Sequence, residues 1–199
     1  MDESAIAFVG RWLRHPRRTG AIIPSSRDLA RVIAQGLNRN DYTTIVELGA
    51  GTGTVTRALV ERFGAERVVA LELSPGLARQ ARKRNPGARV VVGCASELDG
   101  LLEEHDTTRL ALVSCLPLLS MPNMRRSLLQ TAATHLGPEG CFVQFTYSPW
   151  SPFPAEEYRA LGLRAQRTGR AWRNVPPASV WRLTLDRMRD AQTPLRPTA

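Results

Sequence analysis

The sequence predicts an α/β fold built on one doubly wound, mostly parallel sheet with helices on both faces. Three observations predict it. From Tyr42 onward short apolar runs alternate with segments of helical spacing. The first run passes into a glycine turn that opens a helix, and the later runs end in polar or acidic residues suited to one edge of a sheet. The length of 199 residues and a hydrophobic content of 43% suit a single domain spanning 1–199.

Residues 4–15 project as a helix. Ala5, Ile6, Phe8, Val9, Trp12 and Leu13 share one side, while Ser4, Arg11, Arg14 and His15 occupy the other. A basic amphipathic helix with a tryptophan on its apolar face either lies in a lipid interface or packs on its own domain, and the pattern fits both. Pro16 stops it, Gly20 and Pro24 mark a loop, and Ser25 is placed to cap a second helix reaching about Gly36, with Asp28 in its first turn. The same loop is placed to fold over a ligand.

Strands are expected near 43–47, 67–72, 89–93, 109–114 and 140–147, and helices near 54–63, 75–84, 97–103 and 123–135. Ser148 to Pro154 is rich in proline and reads as a restricted loop. Leu163–Trp172 and Ser179–Leu185 alternate as closing strands, one of them antiparallel, and 190–199 reads as a flexible tail.

The stretch Ile45-Val46-Glu47-Leu48-Gly49-Ala50-Gly51-Thr52-Gly53 is where a ligand is expected. A dinucleotide fingerprint places its glycines at the first, third and sixth positions of the turn. Here the sixth is Thr54, and glycine stands at the fifth, Gly53. Glu47 would repel a pyrophosphate and attract a cation. Glu72 closes the second strand, where a carboxylate can accept hydrogen bonds from both ribose hydroxyls of a nucleoside. A cationic nucleoside fits these residues better than a dinucleotide.

The net charge of +9 favours an anionic partner, either nucleic acid or an anionic membrane surface. Lys83 is the sole lysine, so the charge is almost all arginine. Cys94, Cys115 and Cys141 lie in apolar runs without metal-ligand spacing, which predicts buried thiols in a reducing cytoplasm and no metal. No apolar run has the length of a membrane span, and the N-terminus lacks the order of a signal peptide.

The pattern Glu-x-Gly-x-Gly-x-Gly at 47–53 resembles motif I of the class I S-adenosylmethionine-dependent methyltransferases, a Rossmann-like fold. The resemblance implies S-adenosyl-L-methionine as cofactor and S-adenosyl-L-homocysteine as product. It places Glu47, Gly49, Ala50, Gly51, Gly53, Glu72, Leu73, Ala95, Ser96, Ser114 and Ser25 around that cofactor. Nucleic-acid adenine methyltransferases of this class carry Asn or Asp where this chain has Ser114, and an aromatic ring where it has Leu118. A flipped base would then have no stacking platform. RNA adenine N6-methylation, favoured by the charge, is the alternative reading.

The segments at 19–27, 46–53, 114–122 (Ser-Cys-Leu-Pro-Leu-Leu-Ser-Met-Pro), 144–149 (Gln-Phe-Thr-Tyr-Ser-Pro) and 173–181 (Arg-Asn-Val-Pro-Pro-Ala-x-Val-Trp) resemble the bacterial phospholipid N-methyltransferases. The likeness to ribosomal RNA adenine dimethylases is more distant. What the resemblance implies is stepwise N-methylation of phosphatidylethanolamine toward phosphatidylcholine. Residues 1–18 then serve as a membrane-interface helix, with Ile6, Phe8, Val9, Trp12 and Leu13 in the lipid and Arg11 and Arg14 on its anionic surface. Tyr147, helped by Ser114, is the candidate for holding the amine, and Arg18, Arg173 and Asn174 for meeting the head-group phosphate. The implied partners are the phospholipid head group and the anionic inner face of the cytoplasmic membrane, with no nucleic acid.

Overall fold

The computed structural model describes residues 26–39, 41–103 and 105–186. The expected amphipathic helix at 1–18, the cap Ser25 and the tail at 190–199 lie outside the described residues.

Helix α1 (Arg27–Gln35) leads in, capped by the residue after the expected one: Ser26 Oγ accepts from Leu29 N–H at 3.1 Å. The α/β alternation follows as β1 (Thr44–Leu48), α2 (Thr54–Phe63), β2 (Val68–Glu72), α3 (Pro75–Arg84), β3 (Arg89–Val92), α4 (Leu98–Glu103), β4 (Leu110–Ser114), α5 (Pro122–His135) and β5 (Cys141–Thr146). A helix absent from the sequence expectation, α6 (Ala155–Ala160), precedes the closing pair β6 (Leu163–Ala171) and β7 (Ala178–Leu185).

The seven strands lie in the order β3-β2-β1-β4-β5-β7-β6. β1 to β5 are parallel, and β7 runs antiparallel between β5 and β6, so it is the one reversed strand. Strand order turns back between β1 and β4, which makes the carboxyl ends of these two the switch point where a ligand crevice forms.

The sheet is covered on both faces, and the period of two along each strand divides its side chains between two cores. Ile45, Ala111, Val113, Cys141 and Val143 pack with α1 and α2. Val46, Leu48, Leu110, Leu112 and Phe142 pack with α4 and α5. Every residue of β1, β2 and β4 is buried, which is why these strands read as unbroken apolar runs. Of the buried polar residues in these strands, Thr44 opens β1, whereas Glu47, Glu72 and Ser114 stand at the carboxyl edge.

Candidate active site

The chain leaves β1 through three glycines in the left-handed region, with φ of 78° at Gly49, 57° at Gly51 and 83° at Gly53. Gly49 and Ala50 N–H groups both donate to Leu71 O, at 2.8 and 3.1 Å, pinning the turn to β2. Gly51 faces open space, whereas a Cβ on Gly53 would come within 2.9 Å of Ala81 Cα in α3. Gly51 therefore leaves the backbone accessible to a ligand, and Gly53 lets α2 and α3 approach each other.

Two acids frame the turn. Glu47 is fully buried, its Oε2 accepting from Thr56 Oγ1 at 2.6 Å and its Oε1 facing Cys115 Sγ at 3.8 Å. Burial pushes its carboxyl up to about 7, with Glu72's charge adding to the rise and the Thr56 and Cys115 hydrogen bonds opposing it. Glu72 is held by two backbone donors, Gly51 N–H at 2.7 Å and Ser74 N–H at 2.9 Å, one on each oxygen. Each oxygen keeps a second lone pair for a ligand hydroxyl.

The other half of the site comes from β4, β5 and the β6–β7 turn. Cys115 begins the loop after β4, and burial together with Glu47 and Glu72 raises its thiol well above the ordinary range. Gln144, 2% exposed, donates from Nε2 to Leu116 O at 3.0 Å and to Phe145 O at 2.9 Å, tying that loop to β5. Tyr147 follows β5, makes an edge contact with Phe145 at 5.7 Å between centroids, and hydrogen-bonds to Asn174. Burial raises its hydroxyl. Asn174 Oδ1 accepts from Ser26 N–H at 3.3 Å and Nδ2 donates to Pro176 O at 2.8 Å, so one buried amide joins α1, the β6–β7 turn and Tyr147.

The glycine turn, the ends of β2, β3, β4 and β5 and the loops that follow them line a cleft of about 380 Å³. Of the sequence-predicted residues it brings together Glu47, Gly49, Ala50, Gly51, Glu72, Leu73, Ala95 and Tyr147. It does not bring Gly53, Ser96, Ser114, Arg173 or Asn174 to the lining. Ser114 is 1% exposed and its Oγ accepts from Leu116 N–H at 3.3 Å, so it braces the loop rather than facing a ligand. Ser96 is exposed, and the turn that carries it is closed by Glu97 Oε2 accepting from Cys94 N–H. Asn174 is turned inward and its amide is used within the fold, so it reaches the cleft through Tyr147, while Arg173 is exposed beside it. Ser25 and Arg18 lie outside the described residues.

Sequence reasoning missed Thr56, Cys115, Phe145 and Gln144. For Gln144 the signal was present as an amide inside the apolar run Cys141-Phe142-Val143. Leu118 is buried where adenine methyltransferases carry a ring, and the rings that line the cleft, the expected Tyr147 and the missed Phe145, come from β5 and its end.

A sheet of this order, with a glycine turn and two inward acids at its carboxyl edge, defines a class I S-adenosylmethionine-dependent methyltransferase, and the chain belongs to that family. Residues 45–140 match the family model described as a methyltransferase domain. More particularly, the chain is 32% identical over 149 residues to the ornithine lipid N-methyltransferase of Singulisphaera acidiphila, covering 72% of this chain and 78% of that one. It is 32% identical over 108 residues to the malonyl-acyl-carrier-protein O-methyltransferase of Halorhodospira halophila, covering 53% of this chain and 35% of that one. Among solved structures, the 1,6-didemethyltoxoflavin N1-methyltransferase of Burkholderia thailandensis superposes with a TM-score of 0.64 at 18% identity, covering 90% of this chain and 86% of that one. A TehB-like methyltransferase of Corynebacterium glutamicum gives 0.58 at 21% identity, covering 92% and 98%. These two share the fold.

Proposed function

We propose that this methyltransferase N-methylates the primary amine of phosphatidylethanolamine, and then its mono- and dimethyl derivatives toward phosphatidylcholine, at an anionic membrane surface. The observation that carries the lipid reading is where the apolar surface lies. Among the described residues the exposed large hydrophobics are Val92, Leu119, Trp150, Trp172 and Val175. All five follow or end a strand at the carboxyl edge of the sheet, the edge on which the cleft opens: Val92 at the end of β3, Leu119 after β4 and in the cleft lining, Trp150 after β5, and Trp172 and Val175 in the β6–β7 turn. Tryptophan and aliphatic tips on one rim suit the head-group boundary of a bilayer. Arg170, whose guanidinium lies 4.1 Å from the Trp172 ring centre, and exposed Arg173 add positive charge to it. The relative that methylates ornithine lipid by name supports an amine-bearing lipid as substrate class.

The residues present fit the donor. Buried Glu47 suits its ammonium and sulfonium charge, Glu72 its ribose hydroxyls, and the open backbone at Gly51 a close approach. When bound, S-adenosyl-L-methionine supplies an electrophilic methyl that an amine lone pair displaces, the bonding pair leaving with sulfur. The chain's own part is to orient the nitrogen and exclude water. In this reading Tyr147, which lines the cleft beside Asn174, hydrogen-bonds the amine, and the largely apolar wall from Leu116 to Met121 keeps water from it. The carboxylates of the lining, Glu47 and Glu72, are taken by the donor in this reading, so the lipid phosphate takes the proton that the nitrogen sheds.

Expressing the protein in a bacterium whose membrane contains phosphatidylethanolamine but no phosphatidylcholine tests this. The lipid extract should gain mono-, di- and trimethylated head groups by mass spectrometry. An extract unchanged despite folded, cofactor-binding protein contradicts the proposal.

A further inference from the structure

Gln144 carries a polar atom that the fold leaves without a partner. Its Nε2 lies within hydrogen-bond distance of two carbonyls, Leu116 O and Phe145 O. Both are acceptors only, so the amide cannot be turned around without setting oxygen against oxygen. That fixes Oε1 away from them, and among the described residues Oε1 is buried with no hydrogen-bond partner. A buried acceptor in this condition is rare in a folded protein and calls for a donor from elsewhere.

The position of the residue says where the donor comes from. Gln144 lines the cleft, and its register partner in β4 is Ser114, immediately before the loop Cys115–Met121 that walls the half of the cleft away from Glu72. Two neighbouring hydroxyls, by contrast, have backbone partners: Thr146 Oγ1 accepts from Ser148 N–H and Ser148 Oγ accepts from Trp150 N–H.

Resting on the lipid-amine reading above, we infer that Gln144 Oε1 accepts an N–H of the substrate amine and makes the enzyme's hold on its substrate depend on how many methyl groups the nitrogen already carries. A neutral primary amine whose lone pair faces the methyl donor has two N–H groups, and the monomethyl amine has one. The dimethyl amine has none. Gln144 thus orients the first two acceptors and cannot hydrogen-bond the third, which must rely on shape alone. An amide oxygen accepts the hydrogen bond without taking the proton, so Gln144 is a positioning and specificity residue rather than a base.

Purified wild type and Gln144→Met are compared on vesicles whose acceptor lipid is phosphatidylethanolamine, its N-methyl or its N,N-dimethyl derivative. S-adenosyl-L-homocysteine affinity is measured alongside by calorimetry. The variant should lose about tenfold or more in rate on the first two lipids while staying within about twofold on the third and in product affinity. Equal losses on all three lipids overturn the inference, because they mean that Gln144 only braces the Leu116 loop. A matching loss of product affinity overturns it by assigning Oε1 to the cofactor, and unchanged rates overturn it directly. Should the Met variant not melt cooperatively, Gln144→Asn, which keeps the amide but withdraws the oxygen, should show the same ordering more weakly; equal losses there also overturn it. Wild type that methylates none of the vesicles marks a failure of the lipid reading itself, and the inference falls with it. Active wild type with a flat variant profile is a failure of the inference alone.

Discussion

Glu47 is a carboxylate kept out of water beneath a cleft that takes a cationic donor, and its protonation links stability to binding. In the folded chain it holds its proton to about 7 against 4.5 for an ordinary glutamate, chiefly because of burial. The folded state therefore binds more protons than the unfolded state between those values. The group's favourable share is complete below about pH 4.5 and is lost as pH rises through about 7, some 3 kcal/mol in all. Donor binding has the opposite sign, since the cation prefers the ionised acid. Between about pH 6 and pH 8 the ligand-free protein should lose melting temperature while S-adenosyl-L-methionine affinity rises. Glu47→Gln should flatten both profiles relative to wild type in calorimetry and thermal melts; a variant that keeps both slopes contradicts this role. Glu47 and Glu72 were legible as site residues because an acid inside an apolar strand has few other uses. Ser114 and Asn174 were not read correctly, because a small polar side chain looks the same whether it faces a ligand or closes a turn. What turned them inward were backbone partners, Leu116 N–H for Ser114 and Ser26 N–H with Pro176 O for Asn174.

At the scale of elements, the strands were predictable to within a residue or two: β1, β2 and β4 are buried on both sides and stand out as apolar runs between turns, and the edge strands are bounded by turn residues. Helix α6 was not. It has six residues, none buried, and no side-chain cap, so nothing local distinguishes it from the proline-rich loop before it. It is fixed by tertiary contacts: Glu157 accepts from Arg125 Nε and Nη2, both at 2.9 Å, and Phe153 packs on Phe142 with centroids 5.4 Å apart. The forked pair holds Glu157 below the usual carboxylate range. It ties α6 to α5 and so steadies the segment from Ser148 to Pro152 that lines the cleft. Arg125→Met should lower stability by about 1–3 kcal/mol in denaturant titration, less than for a wholly buried pair because Arg126 also reaches Glu157 at 3.3 Å. A change smaller than a few tenths of a kcal/mol would remove the pair from any role in holding α6.

At the scale of the molecule, the fold class followed from the α/β rhythm, but the insertion of β7 between β5 and β6 did not, since strand order depends on which edges meet in three dimensions. That insertion brings the β6–β7 turn beside the end of β5, which is what unites Tyr147 with Asn174. The net charge of +9 left two anionic partners open, and the rim hydrophobics favour a lipid surface over a polynucleotide. Among the described residues no helix is long and apolar enough to cross a membrane, so contact through this rim would be made from one side.

The most direct measurement gives the purified protein methyl-labelled S-adenosyl-L-methionine with either bulk RNA or vesicles of phosphatidylethanolamine and an anionic phospholipid, and follows where the label goes. Label should enter the ethanolamine nitrogen of the vesicle lipid and be absent from RNA. Label in RNA alone, or in neither, would contradict the assignment of a lipid amine as acceptor.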